Sequence, residues 1–415
     1  MPRGSNGQFP TFSWLPDWHR EASAGAVFET ESKRASKGSK RAGASGNRSV
    51  QRMRIVVLGG YGNFGARICR ALARDPGFEV IAAGRYPRAA PDAQPRTVKL
   101  DLAAADFPAR LRDLAPEIVV HCAGPFQGQD YQAARSSINI GAHYVDLADA
   151  REFVVEFAGS MDAAARAANV LAICGASSVP GLSSAVVDRL SENFERVEEI
   201  QTVIAPAQRA ARGAATLAGV FTYAGRPFSW LTNGEWQTVH GWQDLRRVRF
   251  AQLAVRWAAA CDVPDLALFP SRYPGVKTVQ FRAALEIPVQ HFALWLAAEA
   301  RARGVTLPIE RWAKVLNRAA AMLDWFGSGR GGMLVSVTGH KPDGTRSRLE
   351  WHLTADRNLG PEVPCMSALL LTRKIARGEF SFRGASPCVG LLTLADFQPE
   401  FRRWGMTTTF EEHRE

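Results

Sequence analysis

From residue 53 the chain alternates short apolar runs with amphipathic stretches. Arg54–Leu58 is an unbroken aliphatic run, the pattern of a strand covered on both faces. Ala66–Arg74 then places apolar residues at helical spacing and stops at Asp75-Pro76-Gly77. Glu79–Ala83 reads as a second strand and Val98–Leu100 as a short third; a helix closing at Leu111–Leu114 precedes Pro116 and a fourth strand, Glu117–Cys122. Asp130–Ile140 reads as a helix ended by Gly141. His143–Leu147, Phe153–Ala168 and Val170–Cys174 follow as strand, long helix and strand. β-Branched runs separated by helices predict a parallel sheet with helices on both faces, and right-handed crossovers make it doubly wound.

Beyond about residue 195 the texture changes, and nine of the eleven tryptophans lie there. Strands are expected at Glu199–Ala205 and Lys277–Ala283. A hairpin, Met333–Val337 with Arg348–Leu353, turns across His340-Lys341-Pro342-Asp343-Gly344. Helices are expected at Asp244–Ala260, Val289–Arg303 and Ile309–Phe326, giving an α+β domain on a mixed or antiparallel sheet. A helix at Pro364–Arg377, ended by Gly378, is placed to return to the first domain. The expected division is 53–195, 196–360 and 361–415, preceded by a basic tail over 1–52. Within that tail, residues 31–50 are rich in Ser, Gly, Lys and Arg and read as disordered, either an appended tail or a misassigned start before Met53.

Composition narrows the function. No window approaches the roughly 18 apolar residues of a membrane span, so a membrane protein is not expected. The six cysteines form no C-x-x-C pair, which argues against a metal site or a disulfide framework and for reduced thiols in the cytoplasm. The net charge is +11, of which the first fifty residues carry +4. The remaining basic residues are dispersed, without the stripe that nucleic acid requires. An anionic cofactor and a small, anionic substrate are expected to account for the surplus; a homodimer is the expected assembly.

The chemistry is carried first by Gly60-Tyr61-Gly62-Asn63-Phe64-Gly65, a G-x-G-x-x-G directly between a strand and a helix. Its glycines allow a tight turn, backbone approach to a pyrophosphate and close helix–strand packing, with the helix N-terminus facing the phosphates. This predicts a Rossmann domain that binds a dinucleotide. Gly84-Arg85 and Arg88 stand where an NAD site places an acid, which favours NADP over NAD. Asp101 is placed either to meet the adenine or to cap the next helix. The turn Ala123-Gly124-Pro125 should border the nicotinamide ribose, while His121 fits a packed strand residue better than a base.

These motifs, with Gly141-Ala142-His143-Tyr144-Val145-Asp146-Leu147-Ala148-Asp149 and Cys174-Gly175-Ala176-Ser177-Ser178-Val179-Pro180-Gly181-Leu182, resemble the saccharopine dehydrogenase-like family. The resemblance covers residues 53 to about 195 and implies an NADP-binding oxidoreductase acting at a C–N or related polarised bond, with a second, substrate-binding domain. A non-catalytic NADP sensor is the alternative. Asp149 is a candidate acid or orienting group, or a helix cap. Ser177 and Ser178 are candidates for cofactor contact or capping. Arg272 and Tyr273, in the proline-rich loop Asp265–Gly275, are candidates for carboxylate binding and proton donation, or plain surface residues. Trp230, Trp236 and Trp242 fit a core better than a substrate pocket.

Overall fold

In the computed structural model the described residues are 52–87, 95–211, 213–305 and 313–414. The tail up to residue 51, Arg88 and the start of the expected helix at Ile309 lie outside them.

The first sheet is parallel throughout, in the order β15-β6-β5-β4-β1-β2-β3. Its strands are β1 (Met53–Leu58), β2 (Phe78–Gly84), β3 (Arg96–Lys99), β4 (Ile118–His121), β5 (His143–Asp146), β6 (Leu171–Cys174) and β15 (Gly384–Pro387). The pleat sends Ile55 and Val57 into one core and Val56 and Leu58 into another. Both faces are therefore dry, which is why the strands read as unbroken apolar runs. The helices between them are α1 (Gly65–Leu72), α2 (Phe107–Asp113), α3 (Gln132–Asn139), α4 (Arg151–Ala167) and, after β6, α5 (Ser183–Ser191). The order 3-2-1-4-5-6 is that of a doubly wound dinucleotide-binding sheet, with its switch point between β1 and β4.

The second sheet is mixed, in the order β10-β11-β12-β7-β13-β14-β16. It contains β7 (Arg196–Ala205), β10 (Arg246–Val248), β11 (Arg256–Ala260), β12 (Thr278–Ala284), β13 (Gly331–His340), β14 (Arg346–Ala355) and β16 (Thr407–Arg414). A hairpin of β8 (Pro227–Thr232) and β9 (Glu235–His240) hangs from β12. The β13–β14 hairpin forms as expected, but β7 and β12 pair parallel, against the antiparallel texture read from the sequence. Helices α6 (Ala214–Tyr223), α7 (Asp265–Arg272), α8 (Pro288–Ala302) and α9 (Ala313–Met322) belong to this half.

Two expectations are corrected. Asp244–Ala260 is strands β10 and β11, not a helix: Ala258, Ala259 and Ala260 are fully buried, and small side chains let the strand fit beneath its neighbours despite alanine's helix preference. Asp265–Gly275 begins as helix α7 rather than a loop, because Leu266 and Phe269 are buried on one face and outweigh Pro270. Trp230 and Trp242 are buried and Trp236 is half exposed.

After β14, α10 (Val363–Ala376) packs on α1 and β5, and β15 then extends the first sheet beside β6. α11 (Leu394–Trp404) leads to β16, which pairs with β14 of the second sheet. The C-terminal segment thus contributes a strand to each sheet.

Candidate functional site

The β1–α1 turn is built by contacts that exclude side chains. A Cβ on Gly65 would stand 2.2 Å from the carbonyl oxygen of Gly59, and one on Gly60 2.8 Å from Cα of Ala82. Gly62 differs: it is exposed, and a Cβ would approach only the Gly59 oxygen, at 3.1 Å. The protein itself thus leaves the space over Gly62 open, as a cradle for a pyrophosphate requires. The turn is roofed on one side, where Asn63 Nδ2 donates to the carbonyl of Ala211 at 3.2 Å. Phe64 precedes the helix, and its carbonyl lies 3.7 Å from the thiol of Cys365 on α10.

Tyr61 has a structural task. Its hydroxyl donates to the carbonyl of Ala82 at 2.8 Å and accepts from the amide of Val98 at 3.0 Å, and its ring lies against Gly84. It therefore braces the ends of β2 and β3, where the adenosine half of a dinucleotide would lie. Arg85, just past β2, is exposed and carries no hydrogen bond or ion pair among the described residues. Asp101 accepts from the amide of Ala103 at 3.1 Å, the local capping geometry, which leaves its second oxygen available.

At the end of β4 the turn Ala123-Gly124-Pro125 is held by Gln129, whose amide donates to the carbonyls of Ala123 at 2.8 Å and Pro125 at 2.5 Å. His121 faces the same amide side chain, and burial lowers its pKa to about 4, so it is a neutral packed residue. Asp146, fully buried at the end of β5, accepts from the amides of Ala148 and Gly175 at 2.9 and 2.8 Å. Burial still pushes its pKa up to about 6. Asp149 follows, with the Gln127 amide at 3.4 Å; burial raises its pKa too. Ser177 and Ser178 are buried, and neither side chain caps the following turn.

The second half of the molecule supplies a facing wall that sequence reasoning missed. Tyr223 ends α6, and its hydroxyl lies 2.8 Å from the thiol of Cys261, just past β11. Asp149 is an electrostatic neighbour of both. Burial lifts the Tyr223 phenol well above its usual pKa and the Cys261 thiol to about 12, so both carry protons at neutral pH. Beside them Arg151, at the start of α4, pairs with Asp262, donates to the carbonyl of Ser229 at 2.7 Å and lies over the ring of Phe228. No local pattern marks Tyr223 or Cys261; they meet only where the end of α6 reaches the chain just past β11.

Arg272 and Tyr273, at the end of α7, meet α5. Arg272 makes a two-pronged contact with Asp188 of α5, at 3.1 and 2.7 Å, and Tyr273 donates to the same carboxylate at 2.6 Å. The reason is geometric: α7 is a helix, and its C-terminal end points these side chains at α5. In this structure the carboxylate they hold is that of Asp188.

Comparison with known proteins fits this geometry. Residues 55–173 match the family model described as the saccharopine dehydrogenase NADP binding domain. Among solved structures, apo saccharopine dehydrogenase (L-Glu forming) from Saccharomyces cerevisiae is 12% identical, covers 87% of this chain and 100% of its own, and superposes with a TM-score of 0.60. DAP dehydrogenase of C. glutamicum in complex with DAP is 18% identical, with coverage of 83% and 98% and a TM-score of 0.48. A search of curated protein sequences finds no match. The yeast structure shows a shared fold across both halves, while the family match rests on the first. Residues 55–173 are thus similar to the saccharopine dehydrogenase NADP binding domain.

Proposed function

We propose that the chain is an NADP-dependent oxidoreductase. Its substrate is a small polar or amino/imino-acid-like molecule held between the carboxyl edge of the first sheet and the wall formed by α6 and β11. The observation that carries this reading is the placement of Asp149, at the rim of a dinucleotide-binding sheet, beside the protonated pair Tyr223 and Cys261. The bound dinucleotide supplies hydride chemistry; the chain's own residues bind, orient and handle protons. In this reading Gly60, Gly62 and Gly65 and the start of α1 hold the pyrophosphate, with Tyr61, Asn63 and Phe64 shaping the turn. Arg85 and Arg88 hold the 2′-phosphate, Asp101 meets the adenosine end, and Ala123-Gly124-Pro125 borders the nicotinamide ribose. Asp149 exchanges a proton with substrate, and the Tyr223 hydroxyl is the neighbouring donor.

The test follows NADPH consumption against a panel of keto acids, imines and enoyl compounds. Turnover should appear with at least one class, and Asp149→Asn should lower kcat about a hundredfold or more while NADPH affinity is kept. Tight NADPH binding without turnover on any class would favour the sensor reading. Undiminished turnover in Asp149→Asn would remove Asp149 from the proton path.

A further inference from the structure

Eleven large apolar side chains are exposed among the described residues, and seven of them fall between Val289 and Phe326. That segment includes helices α8 and α9 and the short 3₁₀ turn Asp324–Phe326. Met322, Trp325 and Phe326 are 80%, 84% and 75% exposed. Val289, Phe292 and Leu296 recur at helical spacing on the outer face of α8, which is joined to α9 by a hydrogen bond from Gln290 to the carbonyl of Ala320 at 3.2 Å. Apolar groups this concentrated mark an interaction surface.

What lies beside the aromatic tip identifies the partner. Arg209 donates to the carbonyls of Asp324 and Trp325 at 2.9 and 3.2 Å, which fixes the tip against an open pocket of about 690 Å³. Arg209, Arg330 and Arg357 line that pocket, and its one acidic lining residue, Asp356, is already paired with Arg330 at 2.5 Å. Arg357 is exposed and carries no hydrogen bond or ion pair among the described residues. A cationic pocket directly against an exposed Trp–Phe pair matches the two layers of a membrane surface, with anionic headgroups over the interfacial region where aromatic rings settle.

We propose that the outer face of α8, the exposed Met322, Trp325 and Phe326 and the adjoining arginine pocket form a peripheral docking surface for a membrane carrying anionic phospholipid headgroups. No described helix is long and apolar enough to span a bilayer, so the contact is one of attachment. Charge complementarity distinguishes this occupant from a second copy of the chain, whose own matching surface would bring the same cationic pocket against its like.

The experiment is co-sedimentation of the full chain with vesicles of phosphatidylcholine alone and of phosphatidylcholine with phosphatidylserine. Binding should require phosphatidylserine, weaken with salt and shift tryptophan emission to the blue. Trp325→Ser with Phe326→Ser should abolish it. Arg357→Glu should weaken it by roughly fivefold or more, given about 1 kcal/mol per basic residue near an anionic surface. All three positions are exposed, so circular dichroism and NADPH affinity should be unchanged, which separates lost docking from lost folding. Failure of the folded chain to bind phosphatidylserine vesicles would overturn the proposal, as would full binding by the double variant. Binding of inorganic phosphate without vesicle binding would reduce the pocket to an anion site and overturn it equally. A dimer in solution that the double variant dissociates, with no vesicle binding, would reassign the surface to a second copy.

Discussion

Gly62→Val isolates the cofactor cradle from the fold. Gly62 is exposed, has no positive φ, and its added Cβ would meet only the Gly59 oxygen at 3.1 Å, a contact relieved by a shift of a few tenths of an ångström. The expected loss of stability is therefore within about 1 kcal/mol, as for other surface substitutions. The same side chain would fill the space that the pyrophosphate needs. Losing two charge-assisted hydrogen bonds of about 1.5–3 kcal/mol each removes about 3–6 kcal/mol of binding, more than a hundredfold in NADPH affinity. Gly65→Ala is the contrast. Its Cβ would lie 2.2 Å from the Gly59 oxygen and 2.9 Å from Cα of Gly60, so the turn itself must move, at about 1–3 kcal/mol or more. Nicotinamide fluorescence titration and urea unfolding on both variants read the two effects separately. NADPH affinity within threefold of the parent in a folded Gly62→Val protein would refute the assignment of this turn as the phosphate cradle.

Arg85→Ala should lower NADPH affinity by about tenfold while leaving NADH nearly unchanged, because the exposed guanidinium is read as a partner for the 2′-phosphate alone; equal losses for both cofactors would contradict it. Asp188→Ala should destabilise the chain by about 2–4 kcal/mol in urea unfolding, since it strands Arg272 and Tyr273 together, yet leave turnover per folded molecule intact; a collapse of kcat at unchanged stability would place that pair at the active site. Asp265 is buried beside the Ser183 hydroxyl, and burial raises its pKa to about 7. A raised folded-state pKa contributes stability that is complete below the unfolded value of 3.8 and is lost as pH rises through about 7. Asp265→Asn should flatten that decline and make the protein more stable than the parent at pH 8, as thermal melts across the range will read.

The first sheet is legible in the sequence because burial on both faces forces unbroken aliphatic runs, and because a glycine turn between strand and helix has few other uses. The second half is harder, for reasons that residues make plain. Ala258–Ala260 looks helical by propensity, but its pairing with β10 and β12 fixes it as a strand. Pro270 looks like a loop signal, but it sits inside α7 held by buried Leu266 and Phe269. Strands β15 and β16 are short or polar, and their partners lie far back along the chain at β6 and β14. Tyr223 and Cys261 are 38 residues apart and come together only once the second sheet has formed. The position of Asp149, though not its role, is legible because it lies just beyond a strand of the sheet that can be read.

Three carboxylates lie at or near the ends of β5 and β11, and their surroundings differ. Asp146 is fully buried and accepts from two backbone amides, which fix the chain between β5 and the loop after β6. A group held in this way orders the backbone and has no path to substrate. Asp262 is paired with Arg151, and that guanidinium is itself held by the Ser229 carbonyl and the Phe228 ring. Breaking such a pair leaves an uncompensated charge in a desolvated place, so it joins the start of α4 to the end of β11 and keeps the facing wall in position. Asp149 has neither protection: the Gln127 amide donates to it at a long 3.4 Å, no cation pairs with it among the described residues, and burial raises its pKa. Of the three it is the one without an ion pair or a backbone amide donor among the described hydrogen bonds, and so the one proposed to exchange a proton. The Arg151–Asp262 pair holds the Tyr223 and Cys261 wall against it, and this arrangement is what makes Asp149 the group on which the proposed chemistry turns.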